Sequence, residues 1–391
     1  MRIYSTSEIE IRPNIKSNNR YVLLWRKKMR KSIVAIMASV VALNLVACGS
    51  TGTSTATSQE AKTESKTESK AETKESNAET EKKDDSADEK EFEIDLATAY
   101  AADGPAGQAL EKFVEDVKEK SGGSIDISLF TDGTLGSASD NYASISSGDL
   151  DMTMAGLEGL DLYAPEFTFL DAPFLMTSLD QQKEILNSGI GDALKQKYED
   201  NGFVTLGFHN RDVRVLASNK KVEAPSDLAG MKLRLPGMTV YVDTWSALGA
   251  SPTQVAMSEL YTALQTKVAE ACEGGYEQMN TLKLYEVQKY IAETNHVYEF
   301  VGLYINKELY DSMSDNQRQI LQDCAAEDLA YADKLADETR ADYKQKCLDG
   351  GMEFVEIDTQ AFHGALEDYY KKQFETKWTS TTYDEVMSYA K

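Results

Sequence analysis

Histidine is nearly absent from this chain: three occur in 391 residues, at His209, His296 and His363. None has a second histidine at helical or hairpin spacing, so a histidine-based metal centre or catalytic triad has no basis in the sequence. Cysteine is sparse too, at Cys48, Cys272, Cys324 and Cys347, with no Cys-x-x-Cys and no metal-ligand spacing. No HExxH, GxSxG, P-loop or GxGxxG pattern occurs, and no cofactor is implied. Positive charge is also short: 41 Lys/Arg stand against 65 Asp/Glu, for a net charge of −24. Such a chain does not hold nucleic acid through its net charge. An anionic ligand must therefore sit in a local cationic pocket working against the overall field, which makes individual arginines informative. Paired carboxylates abound, but most are solvated surface, and no glycosidase pair can be picked from them.

No apolar run reaches the roughly 20 residues of a membrane span. What stands near the amino terminus is shorter. A basic run, Arg26, Lys27, Lys28, Arg30 and Lys31, precedes an apolar stretch from Ile33 to Val41 that continues to Ala47. This is a signal-peptide pattern, and it makes Met29 the expected start, because the basic region normally sits at the terminus. Leu45-Val46-Ala47-Cys48 resembles a bacterial lipobox, in which Cys48 becomes a lipid-modified amino terminus on the outer face of the cytoplasmic membrane. Residues 1–47 are then a leader. Its removal takes nine Lys/Arg and two Asp/Glu, leaving 32 against 63 and a net charge of −31. Residues 48–91 are rich in Ser, Thr, Glu, Lys, Ala and Asp, with no aromatic before Phe92, and read as a disordered tether.

Folded structure is expected from Phe92. Phe92-Glu-Ile-Asp-Leu-Ala alternates with period two and reads as a strand. A helix opening at Pro105 follows, then a strand at 125–130, a helix at 139–147 and a strand at 151–155. Further on, a helix is expected over 179–198, with separate strands at 203–208 and 213–217. After Met231-Lys-Leu-Arg-Leu come a helix near 239–248 and short strands near 252–255 and 268–271. This alternation argues for an α/β fold with a largely parallel sheet, in two domains. Ser314-Asp-Asn-Gln317 is a capping box that opens a helix running to Leu348, about 34 residues or roughly 50 Å. A helix of that length is longer than one small domain is wide, and it is expected to lie across both. Cys324 and Cys347 fall on it, roughly 34 Å apart, which opposes a disulfide between them. Small buried thiols are the expectation for Cys272, Cys324 and Cys347.

Two arginines stand out. Arg214 lies in Val213-Arg-Val-Leu, flanked by apolar residues, and Arg234 lies in Met231-Lys-Leu-Arg-Leu-Pro236, at the end of an expected strand before a turn. The planar fork of an arginine on a rigid element takes a carboxylate bidentately, fixing orientation as well as charge.

Several longer blocks carry a resemblance. Ala224-Pro-Ser-Asp-Leu-Ala-Gly-Met-Lys-Leu-Arg-Leu-Pro236, Ala247-Leu-Gly-Ala-Ser-Pro-Thr253, Met257-Ser-Glu-Leu-Tyr-Thr-Ala-Leu-Gln265 and Tyr285-Glu-Val-Gln-Lys-Tyr290 with Thr294-Asn-His296 are similar to TRAP-transporter solute-binding proteins of the DctP family. Lys120-Ser-Gly-Gly, Leu135-Gly136, Gly148-Asp-Leu-Asp151 and Asp171-Ala-Pro-Phe174 fit in order, so the resemblance covers residues 92–390. It implies a two-domain clamshell with a long helix spanning both domains, here 92–211 plus about 300–339 and 212–299 plus about 340–391. It implies a monomer that is not an enzyme, binds a small organic acid and delivers it to a membrane permease pair. Arg234 is the implied carboxylate anchor and Arg214 the implied second pocket arginine, with Glu273, Gly274, Met257, Tyr241, Asn210 and Tyr100 as further ligand-binding candidates. Gly274 replaces a ligand-contacting asparagine of many members, and Gly156 stands where the sialic-acid branch has an acid. Both departures speak against sialic acid and leave a hexuronate or related sugar acid, with a C4-dicarboxylate as the alternative. An ABC-type binding lipoprotein and a secreted lipoprotein hydrolase stay open as other classes.

Overall fold

The computed structural model describes residues 90–390. The expected leader, Cys48 and all but the last two residues of the tether lie outside the described residues.

Among the described residues nine strands form one mixed sheet: β1 (Phe92–Thr98), β2 (Ile125–Phe130), β3 (Met152–Ala155), β4 (Phe203–Ser218), β5 (Lys232–Leu235), β6 (Ser251–Gln254), β7 (Ala271–Gly274), β8 (Tyr290–Asn306) and β9 (Glu353–Val355). Their order is β2-β1-β3-β8-β4-β7-β5-β6, with β9 on β8. Parallel pairing joins β1 to β2 and β3 at one end, and β5 to β6 and β7 at the other. Helices connect these parallel strands, as a crossover requires.

The two long strands hold the ends together. β4 and β8 run antiparallel; β3 pairs with Gly302–Ile305 of β8, while β7 pairs with Val215–Ser218 of β4. Sequence periodicity suggests two separate strands where β4 is continuous. The interruption is a set of β-bulges, one of which falls between Asn210 and Asp212 and leaves Arg211 as the extra residue. That bulge shifts the alternation that marks a strand. On β8, the ladder passes from Arg214↔Val297 to Leu216↔Ala292 around Asn295, whose φ is 42°.

The long helix is Asp315–Asp349, opened by the Ser314–Gln317 capping box. It packs on β4, on the helix Pro105–Lys120 and on the helix Tyr276–Thr281, and so lies along both ends of the sheet. Lys112 binds its buried Asp328 at 2.6 Å. Asp333 accepts from His209 Nδ1 and the Asn210 amide at 2.7 Å each, and from Lys183 at 2.9 Å. The helix expected over 179–198 is two, Leu179–Leu186 and Gly189–Asp200; Ser188 breaks it by accepting from the Ile190 amide as the second N-cap.

Three apolar clusters form the core. One gathers Ile94, Leu96, Phe113, Ile305 and Leu321 around the first strands, and another gathers Val215, Leu264, Cys272, Met279 and Cys347 around β7. The third runs from Tyr142 and Phe169 through Phe203 and Trp245 to Phe362, Tyr370 and Trp378 of the carboxy-terminal helices. Those helices thus contribute to an apolar cluster that reaches residues from both ends of the sheet. Cys272, Cys324 and Cys347 are free and buried, each contributing to a cluster as a small apolar side chain.

Candidate ligand-binding site

Alternation along β5 turns Leu233 and Leu235 into the core and Arg234 to the opposite face. Arg234 is only 2 % exposed, and its Nε donates to the Val255 carbonyl at 2.9 Å. Burial pushes the guanidinium down from its ordinary value, with the charge of Glu273 opposing. No carboxylate among the described residues lies within ion-pair distance of it. The other four arginines of that region, Arg211, Arg214, Arg318 and Arg340, all have carboxylate partners. A buried cation without an anion is costly.

Arg214, expected from the sequence to offer its fork to a ligand, instead spends it on the protein. Its Nε lies 2.6 Å from one oxygen of Glu273, one Nη lies 2.8 Å from the other, and the second Nη reaches Glu299 at 3.1 Å. The guanidinium also stands 5.4 Å from the centre of the Tyr241 ring. Burial alone would raise the Glu273 carboxyl, but Arg214 and His296 hold it down at about 2. Glu273 is therefore a charged structural partner of Arg214 rather than an open ligand contact. His296 Nε2 sits 3.2 Å from the same carboxylate, and Nδ1 2.7 Å from Thr294 Oγ1. Burial lowers the His296 pKa. A neutral ring with its proton on Nε2 satisfies both contacts, Thr294 donating to Nδ1.

Next to this cluster stands Arg211, which sequence reasoning missed. The β4 bulge carries it between Glu299 at 3.0 Å and Glu277 at 2.8 Å, with the guanidinium 4.6 Å above the Tyr100 ring. Tyr100, a candidate from the resemblance, thus stands against Arg211. Its hydroxyl lies beside Gly156, 2.7 Å from where a β-carbon would be, and Glu158 Oε2 is 3.5 Å from the same point. Glu158 opens the short helix Glu158–Tyr163 and has no ion-pair partner among the described residues. Burial raises its carboxyl, and Glu299 adds to the rise while Arg214 and Arg211 oppose it.

The remaining candidates fall in different places. Tyr241 is buried and donates to Asp171 Oδ1 at 3.0 Å, while Asp171 Oδ2 is buried with no partner. Asn210 turns its side chain toward the helix Leu179–Leu186, donating to Gln182 at 3.0 Å, while its backbone amide reaches Asp333 of the long helix. Gly274 leaves room that Gln278 takes, since an added β-carbon would stand 2.5 Å from the Gln278 amide. Met257, two residues beyond the Val255 carbonyl that holds Arg234, is 48 % exposed. Among the described residues no cluster of three or more His, Cys, Asp or Glu is placed to hold a metal, and no helix is long and apolar enough to cross a membrane.

Comparison with known proteins gives this arrangement a context. Residues 96–377 match the family model described as bacterial extracellular solute-binding protein, family 7 (DctP). A solute-binding protein of Roseobacter denitrificans is 33 % identical over 261 residues, covering 66 % of this chain and 80 % of that protein. Its crystal structure with bound L-galactonate superposes with a TM-score of 0.66, covering 73 % of this chain and 95 % of that one at 30 % identity. The 2,3-diketo-L-gulonate-binding periplasmic protein YiaO of Escherichia coli is 31 % identical, covering 68 % and 82 %. A TRAP periplasmic solute-binding protein of a Sulfitobacter species, crystallised with β-D-galacturonate, gives a TM-score of 0.70 at 27 % identity, covering 76 % and 99 %.

Proposed function

This chain belongs to the DctP family of extracellular solute-binding proteins, and from that premise we propose that it captures a sugar acid through Arg234 and hands it to a TRAP membrane permease. The observation that carries this reading is the unpaired, buried Arg234. Every other arginine among the described residues has a carboxylate of its own, so the one buried arginine without one calls for a ligand carboxylate. Relatives bound to L-galactonate and β-D-galacturonate, and one named for 2,3-diketo-L-gulonate, support the sugar-acid class. A C4-dicarboxylate, as in the 28 % identical dicarboxylate-binding protein of Rhodobacter capsulatus, fits less well because Arg214 is already occupied.

Arg214, Glu273, Glu299 and Arg211 are the frame of the site, and the two lobes are residues 92–211 with about 300–339 and 212–299 with about 340–391. The β4–β8 bulges beside Arg211 are the flexible point between them, so that closure expels water and strengthens the Arg234–carboxylate pair. The protein acts outside the cytoplasm as a monomer. Cys48 anchors it by lipid to the outer face of the cytoplasmic membrane, and the tether that follows gives reach and a raised effective concentration near the permease.

A thermal-shift screen of organic acids tests the reading. A sugar acid at a hundred times its Kd stabilises the fold by about 2.7 kcal/mol, readily seen in Tm. No shift with any carboxylate would sink it. Mass spectrometry of the membrane-bound protein tests the anchor: a diacylglyceryl mass on Cys48 is expected, and an unmodified residue 48 would dismiss it.

A further inference from the structure

The helix Thr239–Ala247 opens without a cap of its own. Met238, the residue before it, has no side-chain hydrogen bond to give, whereas Ser137, Ser178, Ser188, Ser314 and Asp358 each accept from an amide of the helix they precede. The missing acceptor comes from far along the chain. Asp161 Oδ2, on the short helix Glu158–Tyr163 and 78 residues away, accepts from the Thr239 amide at 3.2 Å. Among the described residues Asp161 has no ion-pair partner. The acids that share its surface depression are engaged elsewhere, Asp243 with Lys377 and Glu166 with Lys197, at 2.8 Å each. Burial raises the Asp161 carboxyl, and the Thr239 amide is the first contact to oppose that rise. A carboxylate here also faces the positive end of the helix.

A second acid of the same stretch reaches the same turn, Asp171 accepting from the Tyr241 hydroxyl at 3.0 Å. Both acids belong to residues 92–211 and both hold a helix of residues 212–299, so each contact crosses from one proposed lobe to the other. Depth separates them. Asp171 and Tyr241 are buried, while Thr239 is exposed and Asp161 half-buried at the outer edge.

We propose that Asp161 is a closure latch, a carboxylate of one lobe that caps the bare helix of the other when the two shut and releases it when they part. Asp161 then has a contact in the shut state that it lacks in the open one, and that difference shifts the balance toward closure. It works without touching the solute, so it slows the release of every solute by the same factor. This inference rests on the two-lobe reading above, and the ligand class does not enter it.

The test follows D-galacturonate and L-galactonate by calorimetry for affinity and by stopped flow for release. Asp161→Ala should weaken both by a similar factor, about fivefold from the usual worth of a helix cap, through faster release, and should leave the ligand-free Tm unchanged. Asp161→Asn, whose amide oxygen caps nearly as well, should restore most of the affinity. Unchanged affinity and release in Asp161→Ala overturn the latch. A ligand-free Tm that falls as far as the liganded one also overturns it, since the contact is then a permanent part of the fold. A loss confined to one of the two acids makes Asp161 a solute contact and overturns the latch as well. A wild-type protein that binds neither acid counts against the sugar-acid reading, and hydrogen exchange then decides the latch without ligand: faster exchange of the Thr239 amide in Asp161→Ala supports it, and equal rates overturn it.

Discussion

Arg214 and Glu273 meet in a bidentate pair across adjacent strands, with nitrogen–oxygen distances of 2.6 and 2.8 Å and almost no exposure on either side. A buried pair of this kind contributes little net stability compared with apolar packing, but breaking it leaves an uncompensated charge. It separates two arginines that look alike in the sequence, one serving the frame and one left over.

Removing the leftover one should cost binding and little else. Arg234→Ala is expected to weaken sugar-acid binding more than tenfold, or about 1.4 kcal/mol, with no fall in Tm in the absence of ligand. Arg234→Lys should recover only part of the affinity, because a point charge lacks the fork. Unchanged affinity by calorimetry would remove Arg234 from the site.

The frame arginine should behave in the opposite way. Arg214→Ala strands Glu273 and one oxygen of Glu299, and should destabilise the fold by about 3–5 kcal/mol, several degrees of Tm, with or without ligand. A variant that melts like wild type yet fails to bind would mean that Arg214 does contact the ligand directly.

Asp171 gives a pH signature. Burial, above all, raises its carboxyl well above the ordinary value; Arg214 opposes and Glu299 adds to it. A carboxyl raised in the fold contributes stability below its unfolded pKa, about 3.9, and loses it as pH climbs through the folded value. Asp171→Asn keeps the acceptor for Tyr241 and removes the titration. It should therefore melt higher than wild type at pH 7, with the gap closing toward pH 4. A gap that does not change with pH would show that ionisation at this position is not what is being relieved.

The three thiols of the folded region should be silent. Burial pushes Cys272 up to about 12 and Cys324 and Cys347 to about 11, and none is in a disulfide. Ellman's reagent should label none of Cys272, Cys324 and Cys347 until denaturant is added, and dithiothreitol should leave Tm unchanged. Fast labelling of the native protein at any of these positions would contradict the packing.

What the sequence discloses here is mostly what repeats. The alternation of Phe92–Thr98, the Ser314–Gln317 capping box and the unbroken pattern to Leu348 are local signals, and the elements are where those signals put them. The reading of β4 as two strands fails because Arg211 and Asp212 break the alternation at a bulge, and a bulge has no composition of its own. Partner choice is harder still. Glu273 and Glu299 are two acids among 65, and only the fold brings them to Arg214. Arg211 gives no signal in the sequence because its neighbours are polar, whereas an arginine among valines stands out. His296 has no second histidine at ligand spacing, and its actual neighbours, Glu273 and Thr294, are unlike it.

The continuity of β4 and β8 has a further consequence. The same two strands that carry Arg211, Arg214 and Glu299 also carry the irregular ladder. If the proposed hinge lies there, stiffness and chemistry are inherited on one piece of backbone, and a substitution there alters at once how tightly a solute is held and how readily it is let go. On the proposed reading, selection for a new cargo is freer at positions off these strands, such as Arg234, where the appetite of the site can change while its spring constant stays the same.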